Sequence, residues 1–283
     1  MSVRIIIDST TDVSPAYQNR VRVVPLTIRF GDTELIDGVT VSRQRFYEML
    51  VESDELPTTS QASPAAFERE YASAAQAGDS AVVLTISAQL SGTHQSACIA
   101  AQDFENVVVV DSQSATIGAG ILAQYAVDCA ERGMSAAEIA ARLEEKRDDV
   151  CVIALLDTLE YLKRGGRISK TAAIAGGLLN LKPVASIENG RVTVIGKARG
   201  SRQGNNLLMQ KIRDCGGVDF DLPVLLGYTG LSDALLRKYM EDSRAVWEGH
   251  ADALPQVQVG SVIGTHGGPG AVVAAFFRKG SRA

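Results

Sequence analysis

Hydroxyl side chains are concentrated in two segments that each precede a predicted helix, residues 57–61 (Pro-Thr-Thr-Ser-Gln) and residues 90–93 (Leu-Ser-Gly-Thr). Hydroxyls beside the free N–H groups of a helix start can bind an anion such as a carboxylate. The glycine of the second segment lets the backbone approach a ligand closely. Each hydroxyl could instead be only a helix cap or a turn residue, so neither segment identifies a site alone. The candidate residues are Thr59, Ser91, Gly92 and Thr93.

A histidine and two arginines could also meet an anion. Residues 264–270 (Gly-Thr-His-Gly-Gly-Pro-Gly) are predicted to form a glycine-rich loop after a strand, and they present His266. A lone histidine is usually structural, but this glycine density favours a close backbone approach to a ligand, where an imidazole could bind a carboxylate or steady a phosphoryl group. Arg167 follows a Gly-Gly turn and Arg199 follows a predicted hairpin. Their guanidinium groups match carboxylate and phosphate, with two solvated surface arginines as the alternative.

The elements that must position these residues alternate between strands and helices in the first half of the chain. Short β-branched runs separated by longer helical patterns predict a parallel sheet. Three of the strands end in polar clusters, and ligands of open α/β sheets bind at the carboxyl edge. The predicted strands are 3–7, 21–28, 81–86 and 107–110, and the predicted helices are 43–51, 64–76, 92–101, 119–132 and 136–147.

After about Asp149 the pattern changes to one that includes antiparallel pairing. Residues 184–187 and 192–195 flank an Asn-Gly pair, which predicts a hairpin. Further strands at 151–155, 223–228 and 257–262 alternate with helices at 203–213 and 232–241. We therefore expect a second α/β domain with a mixed sheet, and a boundary near Asp149.

Composition excludes several classes of function. The 283 residues are 46% hydrophobic and 22% charged, which is typical of a globular protein, and a net charge of -5 without basic runs argues against nucleic-acid binding. The apolar stretches are shorter than the roughly 18 residues that would span a bilayer, and no signal peptide is visible. We expect a cytoplasmic protein without a stable membrane anchor. Four cysteines without Cys-x-x-Cys spacing predict reduced thiols, neither disulfides nor zinc.

An ordered set of motifs resembles the DegV family over nearly the whole chain. The matching segments are Asp8-Ser9-Thr10, Asp37-Gly38, 57–61, 90–97, Asp111-Ser112, 158–169 and 264–270. The resemblance implies an N-terminal three-layer α/β/α domain with a parallel sheet (1–149) and a C-terminal α/β domain with a mixed six-stranded sheet (150–283). It also implies a long-chain fatty acid held between the domains as the ligand.

In that family, the fatty-acid-binding subunit presents the carboxylate to an ATP-binding fatty acid kinase subunit, which forms an acyl-phosphate for phospholipid synthesis. The resemblance therefore implies a lipid-binding subunit with no ATP site, cofactor or metal of its own. The residues implied to bind the carboxylate are Thr59, Ser91, Gly92, Thr93 and His266. Those implied at the phosphoryl-transfer end or partner contact are Arg167, Arg199 and His266. Ala88 and Gly200 depart from the family pattern, which more often has Ser and Thr there.

Two other functions compete with this interpretation. A serine hydrolase could use Ser91 as nucleophile, His266 as base and Asp8 or Asp111 to orient the base, but no Gly-x-Ser-x-Gly elbow is present. A site for a small phosphorylated metabolite is permitted by the fold, but neither a P-loop nor a Gly-x-Gly-x-x-Gly motif follows a strand. We expect a monomer that docks transiently to its partner.

Overall fold

The computed structural model of the protein describes residues 2–168, 181–247 and 249–280, so Ser169 of the predicted 158–169 motif lies outside the described residues. The strands are β1 Val3–Asp8, β2 Arg22–Val24, β3 Thr27–Phe30, β4 Thr33–Ile36, β5 Thr58–Ser60, β6 Ser80–Thr85, β7 Val107–Asp111, β8 Val150–Leu155, β9 Leu181–Glu188, β10 Arg191–Arg199, β11 Leu225–Tyr228, β12 Gln256–Gln258 and β13 Val272–Phe277. The α-helices are α1 Arg43–Glu52, α2 Pro64–Gln76, α3 Thr93–Ala101, α4 Thr116–Glu131, α5 Ala136–Lys146, α6 Glu160–Arg164, α7 Gly200–Asp214, α8 Ala234–Asp242 and α9 Ser261–Gly267.

The N-terminal sheet is parallel throughout, in the strand order β2-β1-β6-β7. Strands β1 and β6 are almost continuous runs of buried aliphatic residues, as expected of parallel strands that are covered on both faces. Helices α2 and α3 pack on one face, and α4 and α5 pack on the other. These three layers confirm the predicted α/β/α domain.

Helix α2 begins where its sequence predicts. The Ser63 hydroxyl accepts a hydrogen bond from the Ala66 N–H, and Pro64 occupies the first turn, where its missing N–H costs nothing. Helix α5 begins with a capping box, in which the side chains of Ser135 and Glu138 each bind the other's backbone N–H.

The C-terminal sheet has six strands in the order β10-β9-β8-β13-β11-β12. Strands β11 and β12 pair in parallel, and the other neighbouring pairs are antiparallel. The β9–β10 hairpin turns at Asn189 and Gly190, whose positive φ angles of 50° and 74° suit a two-residue hairpin turn. The mixed six-stranded sheet is therefore confirmed.

Helix α4 joins the two domains because it lies between their sheets. It packs against β1 and β6 on one side and against β8, β11 and β13 on the other. Gly120 makes this packing possible, since a Cβ there would lie 1.8 Å from the Asp12 carbonyl oxygen. The other face of the C-terminal sheet is covered by α7 and α8.

The prediction of a single strand at 21–28 was wrong. The run forms two strands, β2 and β3, which are separated at Pro25, a residue with no N–H to donate. Strand β3 instead belongs to a small antiparallel sheet in the order β4-β3-β5. Residues 57–61 include strand β5, which the sequence did not predict and which places Thr59 opposite Ile28 of β3.

The strand predicted at 257–262 was also wrong. Strand β12 ends at Gln258, and helix α9 begins at Ser261 after the N-cap residue Gly260. The predicted glycine loop is thus helical as far as Gly267 and ends at Gly268, whose φ is +70°. The apolar strand β13 follows, for which the sequence analysis had no prediction.

Among the described residues, we find no helix with the combination of length and apolar character that crossing a bilayer requires.

Candidate functional site

An apolar cavity lies between the two domains. Ile86 and Leu90 line it from the N-terminal domain, and Ala154, Ala185 and Val273 line it from the C-terminal sheet. Most of the wall is aliphatic, so the cavity suits a hydrocarbon chain.

Two threonines in this wall have their hydroxyl groups bound to buried carboxylates. Thr10 Oγ1 donates to Asp8 Oδ1 at 2.5 Å, and Thr116 Oγ1 donates to Asp12 Oδ2 at 2.8 Å. Thr116 also has a φ of +48°, which is unusual for a β-branched residue. Because these two hydroxyl groups already donate to carboxylates of the protein, they do not donate to a ligand.

The polar lining of the cavity includes Thr59, Ser91, Arg167 and His266, so the structure brings four predicted site residues together. Strand β5 supplies Thr59, and helix α9 supplies His266. The Thr59 hydroxyl and the His266 Nε2 atom are 2.8 Å apart. The Arg167 side chain lies beside Leu90, the residue before Ser91, because the Arg167 Nε donates to the Leu90 carbonyl at 3.2 Å.

The His266 ring is held in its neutral form. Burial, reinforced by the nearby positive charge of Arg167, lowers the pKa of His266 from 6.5 to about 4. Its Nδ1 atom is buried without a hydrogen-bond partner among the described residues. We assign the single ring proton to Nε2, because a proton on Nδ1 would be a buried donor without an acceptor. Nε2 then donates to Thr59, whose own hydroxyl proton is free to point at a ligand.

The burial of His266 beside Arg167 predicts that this ring does not titrate near its ordinary pKa. Because the folded-state pKa lies below the unfolded one, the unfolded chain binds more protons between about pH 6.5 and pH 4. The contribution of His266 to stability is therefore complete above about pH 6.5, and about 3 kcal/mol is lost as the pH falls toward 4. Histidine side-chain NMR measures the pKa, with His266→Gln identifying the resonance. A midpoint near pH 6.5 would contradict the lowered pKa of this buried ring.

Gly92 and Thr93 support the site without lining the cavity. Thr93 is fully buried, and its Oγ1 lies 2.9 Å from Ser91 Oγ while its N–H donates to that oxygen at 3.2 Å. A Cβ at Gly92 would lie 2.1 Å from Gln61 Oε1, so the lack of a side chain at Gly92 leaves room for the Gln61 side chain. Gly92 abuts the 57–61 segment and Thr93 contacts Ser91. Their predicted role in binding a carboxylate stays a prediction.

The structure does not bring Arg199 to this group. Arg199 is exposed at the end of β10, paired across the hairpin with Leu181, and it is not part of the cavity wall. Its predicted role as a partner contact stays a prediction.

The triad that a serine hydrolase would need is not assembled. Ser91 and His266 both line the cavity, but the ring Nε2 contacts Thr59 and the ring Nδ1 has no carboxylate partner among the residues described. Asp8 accepts hydrogen bonds from Thr10 and from the Ile86 N–H instead of orienting a histidine. The geometry therefore gives the hydrolase interpretation no support.

Sequence reasoning missed Gly165 as a residue of the site. A Cβ there would lie 2.2 Å from His266 Nδ1, so only glycine lets the turn after α6 close over the ring. Its signal was the Gly-Gly pair at 165–166, whose effect on His266 depends on a contact about 100 residues away in the chain.

A second hollow lies outside the first, and the two share Thr59, Arg167 and His266. Tyr161 and Arg164 line only this outer hollow. The three shared side chains therefore stand between the apolar cavity and the outer hollow, and a polar group held at Thr59 would lie beside the outer hollow.

The fold and site define a class of protein with two α/β domains and an apolar cavity between them that ends in hydroxyl groups. The DegV family model matches residues 2–279, and the chain belongs to this family. A DegV domain-containing protein of Deinococcus radiodurans is 35% identical over 284 residues, covering 98% of each chain.

Solved structures show the same fold. A fatty-acid-binding DegV family protein from Thermus thermophilus has a TM-score of 0.85 at 33% identity, covering 98% of this chain and 100% of that one. The fatty acid kinase (Fak) B3 protein of Streptococcus pneumoniae, loaded with linoleic acid, has a TM-score of 0.86 at 22% identity, covering 99% of this chain and 100% of that one. At that identity, the second likeness concerns the fold alone.

Proposed function

We propose that the protein binds a long-chain fatty acid in the cavity between its two domains. The observation that carries this proposal is an aliphatic cavity with two hydroxyls, Thr59 and Ser91, in its polar part. Burial of an acyl chain contributes roughly 0.8 kcal/mol per methylene, whereas a buried carboxylate without partners costs several kcal/mol. Hydroxyl donors offset that cost. The fatty acid binding of the Thermus thermophilus relative supports the proposal.

In this proposal, each site residue has a distinct role. Thr59 and Ser91 donate to the carboxylate, and His266 orients the Thr59 hydroxyl. Gly92 and Thr93 hold Ser91 in place. The domains comprise 1–149 and 150–283, with the acyl chain between them.

The protein then presents the carboxylate to an ATP-binding kinase subunit for phosphorylation. A carboxylate oxygen attacks the γ-phosphorus of ATP, the bond to the ADP oxygen breaks, and an acyl-phosphate forms. Neutral hydroxyl donors leave that oxygen more nucleophilic than a tight arginine pair would. The position of Thr59 and Arg167 between the cavity and the outer hollow supports this role, as does the fold shared with the Streptococcus pneumoniae fatty acid kinase B3 protein.

We expect Arg167→Gln to retain palmitate binding within about threefold and to lower phosphoryl transfer at least about 100-fold. In this proposal the Arg167 guanidinium stabilises charge that develops during transfer, and such groups are typically worth about 10²–10³ in rate. The palmitate-loaded protein is mixed with ATP and the ATP-binding subunit of a bacterial fatty acid kinase, and hydroxylamine traps the acyl-phosphate as palmitoyl hydroxamate.

The matched control is Arg164→Gln, because Arg164 lines the same outer hollow but is exposed and paired with Glu160. This control is expected to transfer at the wild-type rate. Equal transfer by the Arg167→Gln and wild-type proteins would count against the proposed role of Arg167, and no hydroxamate from the wild type would count against the kinase partnership.

A further inference from the structure

Helix α9 lies in the chain between β12 and β13 of the C-terminal sheet but packs largely on the N-terminal domain. It contacts α1, β3 and β5 of that domain as well as α6 of its own, and Val262 belongs to the core that α1 and α2 form. The approach to α1 is close, since a Cβ at Gly264 would lie 2.6 Å from the Tyr47 hydroxyl. Tyr47 also donates to the Val259 carbonyl at 3.0 Å. The position of His266 thus depends on how α9 is docked to the other domain.

The turn that leads into α9 is held by a fully buried carboxylate of the N-terminal domain. Asp12 Oδ1 accepts from the Gly260 N–H at 3.0 Å and from Arg43 Nη2 at 2.8 Å. Its Oδ2 accepts from the Thr116 hydroxyl at 2.8 Å. Arg43 also donates to the Gln258 carbonyl. Asp12 and Arg43 therefore bind the same short turn from both of its ends.

We propose that Asp12 and Arg43 are positioning residues, which fix α9 so that His266 stays against Thr59 and the Thr59 hydroxyl stays directed at the ligand carboxylate. Neither residue lines the cavity, so neither touches the ligand. This inference rests on the proposed function, because it assigns these residues to the recognition of a carboxylate.

The two ends of the ligand should respond differently when this contact is lost. Most of the aliphatic wall comes from the C-terminal sheet, which supplies Ala154, Ala185 and Val273 among others, and a smaller part comes from Val259, Val262 and Ile263 of the turn and α9. Recognition of the carboxylate depends on Thr59, and the contact between Thr59 and His266 depends on how the turn holds α9. A loosened α9 therefore weakens carboxylate recognition more than hydrocarbon binding, whereas general destabilisation weakens both alike.

The experiment compares Asp12→Ala and Arg43→Gln with the wild-type full chain. The dissociation constants of palmitate and 1-hexadecanol are measured by displacement of a fluorescent fatty acid. The ratio of the two affinities is expected to fall at least about tenfold in both variants, since a hydrogen bond to a charged group is worth that much or more. Arg4→Gln is the matched control, because Arg4 forms a comparable pair with Asp79 in the same domain, away from α9.

A second readout is the pKa of His266, followed by histidine NMR. It is expected to rise toward 6.5 in both variants, because water gains access to the ring. An unchanged affinity ratio in the variants, with palmitate still bound tightly by the wild type, overturns this inference alone. Absence of palmitate binding by the wild type overturns the proposed function and this inference with it. If Asp12→Ala does not fold, Arg43→Gln decides the outcome, since the Arg43 side chain is 34% exposed.

Discussion

Replacing Thr59 with valine and Ser91 with alanine together is expected to lower the affinity for palmitate about 100-fold and to leave that for 1-hexadecanol within about threefold. A hydrogen bond to a charged group contributes roughly 1.5–3 kcal/mol, and the loss of two costs about 3 kcal/mol or more. Valine keeps the branched shape of Thr59 in β5, so the strand is preserved. Displacement of a fluorescent fatty acid measures both affinities.

Thr58→Val is the matched control for this pair. Thr58 is the exposed neighbour of Thr59 on β5, and it contacts the outer hollow but not the apolar cavity. Removal of the Thr58 hydroxyl is expected to leave palmitate binding unchanged. Wild-type palmitate affinity in the double variant would show that these hydroxyls do not bind the carboxylate.

Ala185→Leu is expected to lower palmitate affinity about 50-fold without destabilising the ligand-free protein. Ala185 lies on the cavity-facing side of the C-terminal sheet, opposite Ala154 of β8. The added carbons occupy cavity volume, and each methylene of ligand that they displace forfeits roughly 0.8 kcal/mol, so three cost about 2.4 kcal/mol. Chemical denaturation measures the free energy of unfolding, and fatty acid displacement measures the affinity.

The matched control for this substitution is Ala274→Leu in the same sheet. Ala274 is fully buried on the opposite face, among the side chains that α7 and α8 cover. Overpacking there is expected to lower the free energy of unfolding by roughly 1–3 kcal/mol. If Ala185→Leu instead destabilises the ligand-free protein like this control and binds palmitate normally, the cavity is not where the acyl chain lies.

Much of the fold could be predicted because local sequence signals agree with the tertiary structure. The aliphatic strands of the parallel sheet, the Ser63-Pro64 helix start and the Asn189-Gly190 hairpin all have local causes. Helix α9 could not be predicted, because its segment has no helical periodicity and its start at Gly260 is fixed by Asp12, 248 positions away. Strand β5 was missed for the same reason, since its polar residues are ordered by pairing with β3.

The site, too, could be predicted only as far as its residues give local signals. Hydroxyls at Thr59 and Ser91 are visible as candidate donors in the sequence, but only the structure separates them from Thr10 and Thr116, whose protons are committed to Asp8 and Asp12. The sequence also singled out His266, yet its contact with Thr59 spans 207 positions. Such long-range contacts carry no local pattern.

Fatty acid binding is tested most directly by identifying what the purified protein carries. We would purify it from bacterial cells, denature it and identify the released small molecules by mass spectrometry, because a tightly held lipid survives purification. We expect about one equivalent of a long-chain fatty acid. A protein that releases none, and that takes up neither palmitate nor oleate when these are offered, would contradict fatty acid binding.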